Sequence, residues 1–535
     1  VLAGQRLLDG KPKDKNNMSE IKQTSFLAGA INDPRSNNPR GFWYSENIEV
    51  GNRKSIKQVV NNQAENACNY SVNQCIIKTL EIDGYLWGLG QNDNTDHHTT
   101  LWKKTAALTG DWSGVGNGTT SDDFMITVAT SIDAKYVSDP FMSYIHPDIY
   151  FNNGAYLAKY NIGTSTMTAH WAVIPSNGVY GFRGGLQWNG DMYGWYLNKL
   201  CKVATDGTIT DLSLAISPTQ YIVDVIPYEN YLAIICTSVT TTEKSMAYLY
   251  DGQSIKSYDI GAGDIFGGAY FNGQLIVGIT AKNKRAIHFV GFNGVHFKPI
   301  YIYSARANAE ATPYALIAGA SLMKVFGNHI YFMITGTKPG GTYAGHYEYA
   351  LARYGTENQE NPTAFSIYKT FDFTSARGLD GQTAKNDFLI LGNITGAAAI
   401  PEAYVAATIY SDTTKTTFFL SSASTFSAQA GVVETFEFTG GDDSIVKQLS
   451  ATSLAYRPIP TGGSVALKYR VNDGAWTTIF TDNTAGSVAH SAVNIESTGA
   501  NLDEFNYVKF RVELLGGVEL TQIKAKYEEL SQENY

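Results

Sequence analysis

Apolar residues along this chain come in short runs, and the breaks between runs recur in one form. In AYFNGQLIVGITAKNKRAIHFVGFNGVHF, residues 269–297, Asn272-Gly273 and Asn293-Gly294 each lie between β-branched or aromatic stretches. The same apolar–turn–apolar form occurs at Asp83-Gly84, Asn152-Asn153-Gly154, Asn189-Gly190, Glu229-Asn230, Gly327-Asn328 and Lys385-Asn386. Asn, Asp and Gly are the residues that best tolerate the positive φ of a two-residue hairpin turn. From Gly190 to Asn230 is 40 residues, and the next three intervals are 43, 55 and 58. Several units carry a second turn, at Asp206-Gly207, Asp251-Gly252 and Asn293-Gly294. Each unit therefore reads strand, tight turn, strand, variable loop, strand, tight turn, strand. Four antiparallel strands repeating at this period predict β-propeller blades. The expected fold is all-β, with a propeller of six to eight blades, seven being the expected number. A β-sandwich or β-helical array with coincident turns is the competing architecture. An extra hairpin is expected near DFMITVATSIDAKYV, residues 123–137, inside the long interval from Gly84 to Asn153.

The two ends depart from the repeat. Residues 1–60 predict an extended arm: Asp33-Pro34 and Asn38-Pro39 initiate turns, and FWYSENIEV and SIKQVV alternate like strands. Such an arm could close the ring by adding a strand to the last blade, or reach a neighbouring subunit. Residues 61–430 are the expected propeller, within which the small-residue-rich segment 396–430 reads as a joining stretch. Residues 431–535 alternate with period two through VVETFEFTG, SLAYRPIP, SVALKYRVNDGAWTTIF, NYVKFRVELLG and VELTQIKAKYEE, which predicts an antiparallel β-sandwich. Trp476, just after a hairpin turn, is a core or rim residue of that sandwich, and less often such a Trp is a ligand platform.

Composition agrees with strands and tight turns: of 535 residues, 17% are charged and 13% aromatic, and Gly outnumbers Pro by 51 to 15. Net charge is −9, which argues against a nucleic-acid interface built on a basic face. Residues 1–60 hold ten Lys/Arg and six Asp/Glu, leaving −13 for the rest. A basic arm of this kind either docks on an acidic neighbour or is simply solvated. Four cysteines make no disulfide framework: Cys201 and Cys236 read as buried thiols, Cys68 and Cys75 as free ones, which fits a reducing cytoplasm. No run reaches the apolar length of a membrane span. Met18 occupies a position like that of a natural start, so residues 1–17 read as an upstream extension.

Candidate chemistry is thin. Asp96-His97-His98 is the densest ligand cluster, but a metal needs three or four convergent ligands, and the expectation is no metal and no cofactor. Arg183, Arg285, Arg306 and Arg353 could in principle gather on a carboxylate, as in sialidase-like propellers, and VNDGAWTT loosely resembles an Asp-box, with Asp473 and Gly474 adjacent where that motif separates them. P-loop, GxSxG and HExxH patterns are missing, and Gly184-Gly185 and Gly340-Gly341 read as turns. These observations lead to the expectation that the chain is not an enzyme.

The order of parts resembles structural proteins of tailed bacteriophages. QTSFLAGAIND with GFWYSENIEVGNRKSIKQV is similar to the start of such virion proteins, and SVALKYRVNDGAWTTIFTD with NYVKFRVELLGGVELTQIKAKYEEL is similar to the small terminal sandwich of some tail proteins. The resemblance implies a tail nozzle or hub component, assembled in the host cytoplasm and resident in the virion. Its implied partners are other tail proteins and copies of itself in a ring, with DNA passing unbound. A receptor- or carbohydrate-binding tail-tip protein, recognising a host-surface glycan, is the alternative.

Overall fold

In the computed structural model the described residues are 19–23, 29–30, 41–42, 44–50, 55–58, 62–64, 75–91, 98–105, 113–115, 124–125, 141–153, 156–176, 181–240, 243–280, 286–304, 323–326, 329–337, 347–355, 364–371, 388–395, 401–410, 415–420, 430–439, 444–493 and 504–530. All regular elements among them are strands. The chain divides into two compact units: residues 59–427 form one, and residues 1–58 with 428–535 form the other.

The first unit is a propeller of seven blades. Blade 1 comprises Cys75–Ile82, Tyr85–Gln91, His98–Thr105 and Ser113–Gly114, with Phe124–Met125 added to its third strand. Blade 2 comprises Met142–Ile145, Asp148–Asn153, Tyr156–Asn161 and Thr166–Val173. Blade 3 comprises Gly184–Trp188, Asp191–Tyr196, Lys199–Val203 and Ile209–Asp211. Blade 4 runs through Gln220–Tyr228, Tyr231–Ser238, Ser245–Tyr250 and Ile255–Gly261, and blade 5 through Asp264–Phe271, Gln274–Thr280, Ala286–Phe292 and Phe297–Ser304. Blade 6 comprises Lys324–Phe326, His329–Thr337, Tyr347–Gly355 and Ala364–Phe371. Blade 7 takes three strands from the end of the unit, Phe388–Thr395, Pro401–Tyr410 and Lys415–Leu420, and its fourth from the beginning: Asn62–Ala64 pairs antiparallel with Phe418–Leu420. The first strands of successive blades touch in order, and that of blade 7 touches that of blade 1, so the ring closes.

Local chemistry explains most of the blade geometry. Asp83-Gly84, Asn189-Gly190 and Asn272-Gly273 join first to second strands, with φ of 52° and 74°, 51° and 84°, and 50° and 77°. These are the left-handed pairs of a type I′ turn, whose twist matches the strands it joins. A different device joins third to fourth strands. Asp206 Oδ1 accepts the N–H of Thr208, Asp251 Oδ1 those of Gln253 and Ser254, and Asn293 Oδ1 those of Val295 and His296, at 2.7–3.0 Å. Such Asx turns replace a backbone turn with a side chain.

Blade 2 corrects the expected turn. Asn152 and Asn153 are strand residues opposite Leu157 and Tyr156, and the first turn is the cis pair His146-Pro147. Gly184 and Gly185 also lie in a strand rather than a turn. A Cβ on Gly184 would come within 2.1 Å of Trp195 Cζ2, and one on Gly185 within 1.8 Å of Phe141 Cδ2, so close packing requires both glycines. Segment 396–430 is likewise no plain connector, since Pro401–Tyr410 and Lys415–Leu420 belong to blade 7. The turns at Gly327-Asn328 and Lys385-Asn386, the pair Gly340-Gly341, and most of the hairpin expected after residue 123 lie outside the described residues.

Blade faces bury each other. Trp87, Leu89 and Leu101 of blade 1 pack with Ile149, Phe151 and Tyr160 of blade 2. Tyr193 and Leu200 of blade 3 pack with Leu232 and Ile234 of blade 4, and Ala233 and Ile235 of blade 4 with Leu275 and Val277 of blade 5. Polar staples cross the same seams: the Gly268 N–H donates to Asp224 Oδ2 at 3.3 Å, and the Ile265 N–H to Thr237 Oγ1 at 3.2 Å.

The second unit is a two-sheet sandwich. One sheet runs Ala489–Val493, Lys447–Tyr456, Glu519–Glu529, Ile56–Gln58 and Ile48–Val50, with Ser19–Gln23 also paired to Glu519–Glu529. The other contains Tyr44–Glu46, Gly431–Glu434, Val508–Leu515, Ser464–Val471 and Thr477–Asp482. Between them lie Leu454, Val465, Leu467, Phe510, Val512, Leu520 and Ile523, together with Ile48 and Ile56 from the N-terminal end. Ser19–Gln23, Tyr44–Glu46, Ile48–Val50 and Ile56–Gln58, in the segment expected to be an extended arm, are therefore strands of the sandwich.

The close-packed inner-strand glycine Gly185 and the turn glycine Gly190 predict opposite tolerances. Gly185→Ala forces a methyl into the buried Phe141 ring and should cost about 2–3 kcal/mol. Gly190→Asn meets open space at a φ that Asn accepts and should cost under about 1 kcal/mol. Urea unfolding of both variants checks this, and equal losses would refute the packing account.

Candidate functional site

The meander gives the propeller two unlike ends. Turns from first to second and from third to fourth strands lie at one end, whereas second-to-third loops and the connections between blades lie at the other. The tight-turn end carries an aromatic rim. Blades 1 to 5 each place a ring within two residues of the first turn: Tyr85, Tyr144, Trp188, Tyr228 with Tyr231, and Tyr270. Most are anchored. Lys103 Nζ sits 3.8 Å from the Tyr85 ring centre and 4.9 Å from that of Trp87. The Tyr144 hydroxyl lies 2.9 Å from His146 Nδ1, and Tyr228 meets Tyr270 edge to face at 5.5 Å. Tyr85 and Tyr270 keep 39% and 41% of their surface exposed. Rings held at fixed angles with one free side offer apolar area at little cost in side-chain entropy.

Of the residues singled out in the sequence, the described ones lie on separate blades. Arg183 precedes blade 3, its guanidinium carbon 5.7 Å from the Tyr221 ring centre. Arg353 is buried in the third strand of blade 6. Arg285, Arg306, Asp96 and His97 lie outside the described residues, and His98 opens the third strand of blade 1. Among the described residues no group of three or more His, Cys, Asp or Glu is placed to hold a metal ion. Cys201 and Cys236 are buried free thiols. Burial pushes the Cys201 thiol up to about 12 and raises that of Cys236 as well, so neither is a nucleophile at neutral pH. Among the described residues there is no helix long and apolar enough to cross a membrane.

The sandwich carries a charge ladder that sequence reading missed. Strands LKYRV and VKFRVEL lie side by side, with Lys468 opposite Arg511 and Arg470 opposite Lys509. Their apolar positions, Leu467, Tyr469, Phe510 and Val512, face the core, so the basic ones share the other face. Each basic residue finds an acid: Lys468 Nζ–Glu513 Oε1 2.7 Å, Lys509 Nζ–Glu437 Oε1 2.8 Å, Arg511 Nε–Glu434 Oε1 3.3 Å and Arg470 Nη2–Asp473 Oδ1 3.5 Å. Glu434, Lys509 and Arg470 are buried. Removing one partner of such a pair strands the other charge and costs about 3–5 kcal/mol. Trp476 is held in this ladder, its ring centre 5.1 Å from the Arg470 guanidinium and 5.3 Å from that of Arg511. It is a rim residue stacked on cations. The Asp-box-like stretch is the hairpin turn beside it: Asn472 and Asp473 have φ of 44° and 60°, and Asn472 Oδ1 accepts the N–H groups of Asn506 and Tyr507. A doublet of alternating basic strands facing ETFE was the available signal.

A second polar cluster closes the sandwich edge. The buried Asp482 carboxylate accepts hydrogen bonds from the Tyr456 and Ser487 hydroxyls and from the Thr484 N–H. The Tyr456 hydroxyl, then Ser487 and Thr484, hold its pKa well below the usual carboxylate range. His490 lies beside it, Nδ1 to Oδ2 4.0 Å, stacked on Phe480.

No protein-family model matches the chain, and no curated protein does. Solved structures of similar fold include the N-terminal domain of Nup159, at 10% identity and TM-score 0.34, covering 52% of this chain and 75% of that one. Another is the extracellular domain of the putative one-component system BT4673 from B. thetaiotaomicron, at 11% identity and TM-score 0.35, covering 74% and 52%. A third is the exo-β-1,3-galactanase of Phanerochaete chrysosporium, at 10% identity and TM-score 0.29, covering 87% and 100%. The expectation that the chain is not an enzyme is corrected by the presence of this glycoside hydrolase among chains of similar fold. The physical reason is that carboxylates on separate strands leave no linear motif, so the sequence had no bearing on the question. At these scores the likeness brings no activity to this chain.

Asp482 should govern part of the acid sensitivity of the sandwich. Its folded-state pKa is depressed, so its stabilisation is present above about pH 4, the unfolded Asp value, and is lost as pH falls further. Asp482→Asn should lose about 1–3 kcal/mol at pH 7, and its deficit should shrink below pH 4. Urea unfolding at pH 7, 4 and 3 reads this, and a deficit independent of pH would contradict it.

Proposed function

We propose that this chain is a structural component of a bacteriophage tail, assembled in the host cytoplasm and resident in the virion. Several copies form a ring or tube, packed against other tail proteins around the path of the ejected genome. The observation that carries this reading is how the chain is tied. The propeller's closing strand, Asn62–Ala64, follows the sandwich strand Ile56–Gln58 after three residues, 59–61. The propeller's last strand, Lys415–Leu420, leads back to the sandwich strand Gly431–Glu434. Both ends of the propeller are thus hydrogen-bonded into sheets, which suits a rigid block that transmits load. The resemblance of the two chain ends to tail proteins supports the same reading. An excess of 13 negative charges over residues 61–535 would repel DNA from a channel wall and let it slide.

Exposed Tyr85 and Tyr270 on the tight-turn rim favour a second reading, a tail-tip protein that docks a host-surface glycan on those rings. Electron microscopy of the purified chain separates the two. The structural reading expects closed rings with an axial opening not lined by Lys and Arg, and isolated monomers or compact trimers would overturn it. The glycan reading expects binding on a glycan array that Tyr85→Ala and Tyr270→Ala abolish, and an array without signal would overturn it.

A further inference from the structure

The first hairpin of blade 3, GGLQWNGDMYGWY, gathers more chemistry on one face than its turn requires. Trp188 stands opposite Asp191 across the turn, and Tyr193 stands opposite Lys202 of the third strand. Side chains alternate along a strand and opposed residues point the same way, so Trp188, Asp191, Tyr193 and Lys202 share one face. That face is turned to blade 4, since Trp188 and Tyr193 pack with Leu232 and Tyr250. The half-buried Trp188 ring is braced on two sides. Its centre lies 5.9 Å from that of Tyr193, at 60°, and 6.5 Å from that of Tyr250, at 48°. Tyr250 is itself fixed, its hydroxyl donating to the Gly252 carbonyl at 2.7 Å. Beside the ring, Lys202 Nζ and Asp191 Oδ2 meet at 2.6 Å, with 42% and 41% of their side chains exposed. An ion pair this open adds little to stability. Burial first, and then the charge of Asp191, raises the Tyr193 phenol from its ordinary value, so its hydroxyl is protonated at neutral pH.

We propose that this corner of the seam between blades 3 and 4 is a sugar subsite, which takes a neutral hexose unit of a host-surface glycan. The proposal rests on the glycan reading above. Trp188, held at a fixed angle, offers an apolar wall to the C–H face of a pyranose. Asp191 only accepts hydrogen bonds and Lys202 only donates them. One sugar hydroxyl therefore donates to Asp191 while its neighbour accepts from Lys202, and the pair reads a vicinal diol through two charge-assisted bonds. The pair also sets the class of sugar. An acidic sugar brings its carboxylate against Asp191, and an amino sugar brings its ammonium against Lys202, whereas a neutral diol suits both. Tyr85 and Tyr270, on blades 1 and 5, lie outside this corner.

A glycan array probed with the full chain, followed by titration of one bound neutral glycan, tests this. Signal is expected on neutral glycans, and Trp188→Ala, Asp191→Ala and Lys202→Met are each expected to weaken binding about tenfold or more. Urea unfolding of each variant checks the fold. Trp188→Ala removes seam packing as well, so the two exposed positions, whose substitution leaves the core untouched, carry the decision. Neutral-glycan binding unchanged in either Asp191→Ala or Lys202→Met overturns the subsite and leaves the glycan reading standing. Signal confined to charged glycans does the same. An array without signal overturns the glycan reading, and the subsite with it.

Discussion

Three residue pairs hold the propeller shut: Asn62 with Leu420, Gln63 with Phe419 and Ala64 with Phe418. Every other blade is a continuous stretch of chain. A four-stranded blade cannot stand alone, because both faces need cover. The apolar faces of Trp87, Phe151, Tyr193 and Leu275 are buried only while each blade has a neighbour on both sides. An open ring would leave blades 1 and 7 with one bare face each. The short ladder at the seam therefore supports far more burial than its own length represents, and the exchange of strand for strand across hundreds of residues is the constraint on which the rest depends.

The same logic, at larger scale, builds the sandwich. Ile48 and Ile56, near the start of the chain, pack with Leu454, Val512 and Leu520, near its end. The core is completed only when both ends are present. On the sheet face away from that core, Lys468, Lys509, Arg470 and Arg511 meet Glu513, Glu437, Asp473 and Glu434 one for one. The three pairings between strand segments are specific to one register, since a one-residue slip would carry the charges into the core and the apolar side chains out.

Legibility followed the range of the interaction. Asn189-Gly190 and Asp251-Gly252 declare their turns because φ and side-chain hydrogen bonds are settled within four residues. Blade count and the sandwich strands followed from those turns and the period-two pattern. Blade 2 was misread because His146-Pro147 makes a tight turn without Asn or Gly, while Asn152-Asn153 presents turn chemistry inside a strand. Gly184-Gly185 misled in the same way: the cause of those glycines is Trp195 and Phe141, which no local rule exposes. Residues 401–420 read as a connector because Ala and Thr dilute the apolar signal. Ser19–Gln23 and Tyr44–Glu46 looked like parts of an arm because their partners lie more than 380 residues away. At the candidate sites, the aromatic rim was visible as residues and not as a rim, and the charge ladder needed strand pairing before its members could be matched.

The position of the closing strand also sets an order of events on the ribosome. Asn62–Ala64 emerges early and Phe418–Leu420 much later, a delay of tens of seconds at about 5–20 residues per second. The sandwich strands Ser19–Gln23, Tyr44–Glu46 and Ile56–Gln58 wait longer still, for residues 431–529. Blades 1 to 6 can form one after another in the meantime from contacts local to each. A chain broken before residue 415 has an open ring, and one broken before residue 431 leaves Ser19–Gln23 and Tyr44–Glu46 without their partners. Completion of the fold thus waits until translation has passed the strand Glu519–Glu529.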